Sequence, residues 1–176
     1  MTETLRRFVL VTVMLAGATA ASAQAPDLTF LGFEAGAPLA AVAARADSLD
    51  GNLECQRSRT DVHVRECRGT IIDSISGAQV QLWLSSADSL TSVLTISGTV
   101  DGDQLDQWRS DLVSRFGAVG ARVQGPQWMM QWVRRGRMLR LTWRVDGNTK
   151  RASVSLIDGA VLDQWGRNHE RQAGRR

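Results

Sequence analysis

Apolar residues recur at two different periods along this chain, and the two periods predict helices and strands in turn. The first helix follows Pro38, which suits an opening helical turn because it lacks an N–H, and Gly51 can end it. Its buried stripe is predicted to be Leu39, Val42, Ala43, Ala46 and Leu49. Spacings of three and four residues place these side chains on one face, as in a helix that packs against a core.

The second helix carries its start signal in the sequence. Asp101 can accept a hydrogen bond from the first free N–H groups, and Gln104 can reach back three residues later as in a capping box. Gly117 can end the helix. The predicted buried stripe is Leu105, Trp108, Leu112 and Phe116.

Segments with strand character lie before and after this second helix. They are the stretches around Cys55, 62–68, 79–85 and 93–97, followed after the helix by 128–134, 137–145 and 151–157. A two-residue turn at Arg135-Gly136 makes 128–134 and 137–145 a hairpin. In that register six large apolar residues share one face, as the pairs Trp128 with Trp143, Met130 with Leu141, and Trp132 with Leu139.

The order of these elements predicts an α+β fold, a two-layer sandwich in which an antiparallel sheet carries helices on one face. Asp101–Trp108 and Asp158–Trp165 match at six of eight positions. The match indicates either two tandem repeats, over 33–100 and 101–157, or convergent helix-start chemistry. Both readings give one domain over 24–166, and residues 167–176 are predicted to be a mobile basic tail.

A short segment carries a resemblance. Phe33 to Val42 (FEAGAPLAAV) has an aromatic residue, then Gly36, then a helix with Val42. This resembles the opening of repeats in exported helix-plus-sheet proteins, namely the β-lactamase inhibitor proteins and the SmpA/OmlA-like lipoproteins of outer-membrane assembly. The resemblance implies a non-enzymatic protein that binds other proteins, although the cysteine of the lipoproteins is missing.

The amino terminus has the features of a cleaved signal peptide. Arg6 and Arg7 precede the apolar run 8–16, and Ala21-Ser22-Ala23 supplies the small residues of a cleavage site. The run is shorter than the roughly 20 apolar residues that a membrane-spanning helix needs. We therefore expect residues 1–23 to be removed and the protein to be periplasmic or secreted, with no transmembrane span.

The two cysteines, Cys55 and Cys67, agree with export, since disulfides persist in oxidising compartments. Their spacing differs from the C-x-x-C of redox-active pairs, so the sequence predicts a structural disulfide between them.

The sequence offers no catalytic residues, no metal site and no cofactor motif. The two histidines, His63 and His169, lack partners at ligand spacing. Nucleophile elbows and phosphate-binding glycine loops are absent. Asp101, Asp103 and Asp106 do not have the spacing of a calcium loop and suit the dipole at a helix start. A small hydrolase would need a cleft of convergent polar groups that the sequence does not reveal.

The remaining candidate is a surface. On the side of the predicted hairpin away from its tryptophans, Met and Arg residues collect in a pattern typical of protein interfaces. The predicted binding residues are Arg140, Arg144, Gln131, Met129 and Met138, and Trp83 can extend the patch. Residues 120–151 hold many arginines and one acid, Asp146. The sequence therefore predicts a protein partner, and an anionic lipid or other polyanion is the alternative ligand. Nucleic acid is excluded because an exported protein rarely meets it. The simplest interpretation is a plain solvated face with no partner.

Overall fold

The computed structural model describes residues 26–173, with side chains placed as far as Asn168. Within these residues three helices form, α1 (Leu39–Asp47), α2 (Gly102–Phe116) and α3 (Gly159–Ala173). The predicted signal peptide, residues 1–23, lies outside the described residues. None of the helices described combines the length and the apolar character that crossing a bilayer requires.

Eight of the strands form one antiparallel sheet. A separate small hairpin pairs β1 (Thr29–Phe30) with β2 (Phe33–Glu34). The sheet strands are β3 (Asn52–Arg57), β4 (Val64–Ile72), β5 (Gln79–Ala87), β6 (Leu90–Val100), β7 (Arg122–Gln124), β8 (Gln127–Arg134), β9 (Arg137–Asp146) and β10 (Thr149–Asp158). Their order is β3-β4-β5-β6-β10-β9-β8-β7. The predicted α+β fold is therefore confirmed.

Each half of the chain follows the same plan. In the first half α1 precedes the meander β3 to β6, and in the second half α2 precedes the meander β7 to β10. The two meanders join where β6 pairs with β10. The shared plan is what a duplication would produce, and the duplication itself stays a prediction.

The hairpin of β8 and β9 has the predicted register. Trp128 pairs with Trp143, and the other two predicted pairs also form. Arg135 and Gly136 both have positive φ angles, 49° and 76°, as a two-residue hairpin turn requires. Only Trp128 departs from the predicted burial. It is 44% exposed, because the only strand beyond β8 at this edge of the sheet is β7, which is short and exposed.

Helices α1 and α2 cover one face of the sheet and form the core with it. The predicted stripe of α2 is buried along its whole length. On α1 Val42 and Ala46 are buried, and Leu49 is buried in the turn that follows the helix. The ring of Trp108 meets the edge of Phe30 at 5.2 Å between centroids. Burial of such a stripe, at roughly 25 cal/mol per Å² of apolar surface, is the main source of stability in a domain of this size.

The start of α2 shows half of the predicted capping box. The Oδ1 atom of Asp101 accepts from the backbone N–H of Gln104 at 2.8 Å, as predicted. The side chain of Gln104 does not reach back to the cap. Its Nε2 donates to Oγ of Ser76 at 2.9 Å and to Oδ2 of Asp73 at 3.3 Å. A buried carboxylate needs donors more than an exposed helix start does, so the amide turns inward.

Helix α3 extends beyond the predicted domain end. The backbone of residues 167–173 is helical where the sequence predicted a mobile basic tail. The helix packs against β5, β6 and β9. Its Val161 and the sheet residue Ala87 are 8% and 7% exposed, yet both lie outside the main core. Ala87 points away from α1 and α2, so α3 covers the end of the opposite face near the β5–β6 turn.

The predicted disulfide is present. Cys55 on β3 and Cys67 on β4 are direct cross-strand partners and are bonded to each other. Such bonds are typical of proteins in oxidising, non-cytoplasmic compartments.

One partly buried ion-pair cluster ties the small hairpin to the sheet. Nε of Arg137 donates to Oδ2 of Asp158 at 2.9 Å, and the same guanidinium also pairs with Glu34. Burial alone would lower the pKa of Arg137, but the hydrogen bond to Asp158 and the two carboxylate charges raise it above the ordinary value. The guanidinium therefore stays charged at neutral pH.

Candidate functional site

The candidate site is the sheet face that points away from α1 and α2, called the open face below. Alternation along β8 and β9 places all five predicted binding residues on it, because their neighbours in sequence point into the core. Four of them are half-buried, and Arg144 is exposed. These residues are Met129, Gln131, Met138, Arg140 and Arg144.

Small hydroxyl residues occupy the middle of the open face. Thr95 on β6 pairs with Ser155 on β10, and their oxygens are 3.0 Å apart. Ser153 on β10 pairs with Thr142 on β9, with oxygens 2.8 Å apart. Each hydroxyl thus has a cross-strand partner. Because these side chains are short, a ligand can approach close to the backbone of β6 and β10.

Larger side chains stand on both sides of this hydroxyl floor. On one side, half-buried Trp83 of β5 is the direct neighbour of Thr95. On the other side, Arg140 of β9 is the direct neighbour of Ser155. Register pairing places the full row across seven strands in the order Glu54, Arg68, Trp83, Thr95, Ser155, Arg140 and Gln131. The open face therefore forms a shallow groove, called the trough below. Its floor is the short hydroxyl side chains of β6, β10 and β9, and its sides are the larger side chains of Trp83 and Arg140.

Three of the predicted residues form one contact group. A terminal nitrogen of Arg140 donates to Oε1 of Gln131 at 3.3 Å and lies 3.5 Å from the sulfur of Met138. The buried Nε of Arg140 has no hydrogen-bond partner among the described residues. The sequence placed these side chains on one face, and the fold brings them into contact.

The other two predicted residues line separate grooves. Met129, together with Gln131, lines a groove of about 400 Å³ beside the loop that enters β7. Arg144 lines a groove of about 340 Å³ at the end of the trough opposite α3. The five residues thus lie along β8 and β9 and do not form a single pocket.

Arg151 is the site residue that the sequence reasoning missed. It is the direct cross-strand partner of Arg144 and lines the same groove. Strand alternation was the available signal, since Arg151 is two residues before Ser153, which lies on the open face. The pairing of β9 with β10 then places the two arginines side by side.

Acids, histidines and cysteines are the residue types that most often act in catalysis or bind metals. None of the residues that line the groove at Arg144 is an acid, a histidine or a cysteine. Among the side chains described, no three metal-binding groups come together. His63, half-exposed at the β3–β4 turn, has its Nδ1 atom 3.1 Å from Oδ1 of Asp88, outside the trough. The central part of the open face offers hydrogen-bond donors, the positive charges of Arg140 and Arg144, and apolar contact, whereas Glu54 adds a negative charge at the β3 edge.

Comparisons with protein-family models, with curated proteins and with solved structures found no match for this chain. The resemblance to the β-lactamase inhibitor proteins and the SmpA/OmlA-like lipoproteins stays a prediction.

Proposed function

We propose that this protein is an exported, non-enzymatic binding module of the bacterial cell envelope that holds a protein partner in the trough of its open face. The observation that carries the proposal is the composition of that face. Its sides present Met138, Arg140 and Trp83, three residue types enriched in protein interfaces. Its floor consists of short hydroxyl side chains that leave room for an inserted segment.

The proposed location rests on two supports. The disulfide between Cys55 and Cys67 is typical of an oxidising compartment. The sequence of residues 1–23 has the pattern of an export signal. A periplasmic or secreted protein with this fold would meet its partner in the envelope or outside the cell.

Site-directed photocrosslinking tests the proposal in the native envelope. A photoreactive residue at position Met138 should capture one discrete protein. The same residue at position Ser110, exposed on α2 in the opposite layer, should not capture it. The double variant Arg140→Glu and Arg144→Glu should lower the yield from position Met138 by about tenfold or more, because like charges across an interface cost several kcal/mol. Urea unfolding of the double variant should stay within about 2 kcal/mol of the parent protein, since Arg144 is exposed and Arg140 is half-buried with one side-chain hydrogen bond to Gln131.

Two results would contradict the proposal. One is equal capture from Met138 and Ser110, which would indicate non-specific proximity. The other is unchanged capture by the folded double variant, which would remove the open face from the interaction.

The alternative is electrostatic binding of an anionic lipid, which the arginines of β9 and β10 favour. It predicts co-sedimentation with vesicles that contain anionic phospholipid, and binding that falls steeply as salt is added. An interface with Met and Trp contacts should lose less affinity at the same salt. Vesicle binding abolished by salt, together with no discrete crosslink, would support the lipid.

A further inference from the structure

The groove at the end of the trough combines many hydrogen-bond donors with no carboxylate. It has a volume of about 340 Å³, at the small end of the range for ligand pockets. Its polar lining residues are Gln81, Ser97, Thr99, Gln127, Thr142, Arg144, Arg151 and Ser153. Amide, hydroxyl and guanidinium groups can all donate, so the groove suits a ligand that accepts hydrogen bonds and carries negative charge.

Two arginines stand side by side at this groove. Arg144 of β9 and Arg151 of β10 are direct cross-strand partners on the open face. Like charges placed directly opposite each other destabilise an antiparallel pair. One acid, Asp146, relieves part of this repulsion, with its Oδ2 atom 3.1 Å from Nε of Arg151. The groove is left with about one uncompensated positive charge, that of Arg144.

This charge balance identifies the ligand class. A carboxylate carries one negative charge and can accept two parallel hydrogen bonds from a guanidinium. A phosphate monoester carries about 1.5 to 2 negative charges at neutral pH and would exceed the charge of the groove. Trp143 and Ala152 are the apolar residues of the lining, and apart from Gly98 the others carry polar groups.

We infer that this groove receives the carboxylate of an aspartate or glutamate from an exposed loop of the protein partner, with Arg144 as its main ligand and Arg151 beside it. The inference rests on the proposed function, since the groove is one end of the same trough. It adds a chemical requirement, an acidic side chain on the partner at the position that meets Arg144.

Nuclear magnetic resonance titration with short peptides tests the assignment. The probe is the capped tripeptide acetyl-Gly-Glu-Gly-amide, and the matched control peptide carries glutamine in place of glutamate. The glutamate peptide should shift the Nε–H signal of Arg144 and the backbone signals of Thr99 and Ser153, with a dissociation constant on the order of 1–10 mM. The glutamine peptide should leave them in place.

Variants of the intact protein complete the test. Arg144→Gln should weaken binding of the glutamate peptide by about tenfold, the loss of one charged hydrogen-bonded pair. Arg151→Gln should weaken binding of the glutamate peptide less, because the guanidinium of Arg151 already donates a hydrogen bond to Asp146. The control Arg65→Gln changes an exposed arginine of β4 outside the groove and should have no effect.

Three outcomes would overturn the assignment. They are equal shifts with both peptides, no shift at Arg144 with the glutamate peptide, and tighter binding of inorganic phosphate than of that peptide. Any of these would leave the crosslink from Met138 untouched, so failure of this groove and failure of the proposed function can be told apart.

Discussion

The indole nitrogen of Trp108 donates a 2.7 Å hydrogen bond to Oδ2 of Asp73, a carboxylate with no exposed surface. Asp73 lies in the β4–β5 turn and also accepts from Oγ of Ser76 at 2.6 Å and from the backbone of Ile75 at 2.9 Å. Trp108 therefore has two roles, since it fills the core and also satisfies a buried charge. The contact fixes α2 to the turn at one end of the first meander.

A double-mutant cycle measures this contact. We expect Trp108→Phe and Asp73→Ala, singly and together, to give a coupling energy of about 1.5–3 kcal/mol in urea unfolding, the range for a hydrogen bond to a charged group. Each single variant should cost more than the coupling, because Trp108→Phe also leaves space in the core and Asp73→Ala leaves donors unpaired. A coupling below about 0.5 kcal/mol would show that the hydrogen bond does not stabilise the fold.

The repeated sequence motif supplies the control for that cycle. Trp165 stands at the matching position of the second motif, and its indole nitrogen donates to Oδ2 of Asp61 at 2.6 Å. Both partners are half-buried. The cycle of Trp165→Phe with Asp61→Ala should therefore give a smaller coupling, about 1 kcal/mol or less, because water competes for the carboxylate.

The partly buried ion pair of Arg137 supports a second prediction. Arg137→Met leaves the carboxylate of Asp158, which is 4% exposed, without its cation. We expect a loss of about 2 kcal/mol in the free energy of unfolding, less than the 3–5 kcal/mol of a fully buried pair because the Arg137 side chain is 30% exposed. The pKa of Arg137 is raised, so its contribution is complete at any pH below the ordinary arginine value and should not vary between pH 5 and about 9.

Arg135→Met is the matched control for Arg137→Met. Arg135 is two residues away, in the β8–β9 turn, and its ion pair with Asp27 spans 3.8 Å with both side chains more than half exposed. Its loss should change the free energy of unfolding by less than about 0.5 kcal/mol. Equal effects at the two positions would contradict the role given to burial.

The disulfide supports a third prediction. Replacing both Cys55 and Cys67 with serine should lower the free energy of unfolding by about 3 kcal/mol, the chain-entropy value for a loop of this length. Reduction of the parent protein should give a similar loss, and the same reductant should leave the double serine variant unchanged. Two titratable thiols in protein purified from the envelope would contradict the bond.

Local sequence patterns were sufficient to predict a turn, a helix cap or the face of a strand residue, because the residues that determine these features are close together in the chain. The two-residue turn at Arg135-Gly136 fixed the register of β8 and β9, because a strand alternates with a strict period of two. Asp101 was recognised as a helix cap for the same reason, since its N–H partner is three residues away. The faces of Arg140 and Arg144 followed from alternation alone.

Sequence patterns gave wrong predictions where a residue far away in the chain competes for the same hydrogen-bonding side chain. Gln104 has the right spacing for a capping box, yet its amide binds Asp73, 31 residues earlier in the chain. The course of α3 was missed because its polar sequence after Trp165 shows no apolar stripe. Its packing against β5, β6 and β9 depends on which strands lie nearby in the folded sheet.

By itself, the sequence determined α1, α2, the longer strands with the faces they present, the hairpin register of β8 and β9 and the disulfide partners, since each depends on residues close together along the chain. Only the tertiary structure decided that β6 and β10 are neighbours, and this pairing creates the hydroxyl floor of Thr95 and Ser155. It likewise decided that Arg151 stands opposite Arg144 on an uncovered face. Period-two alternation states which way a side chain points, whereas the identity of its neighbours depends on strand order, which is set by the packing of the whole core.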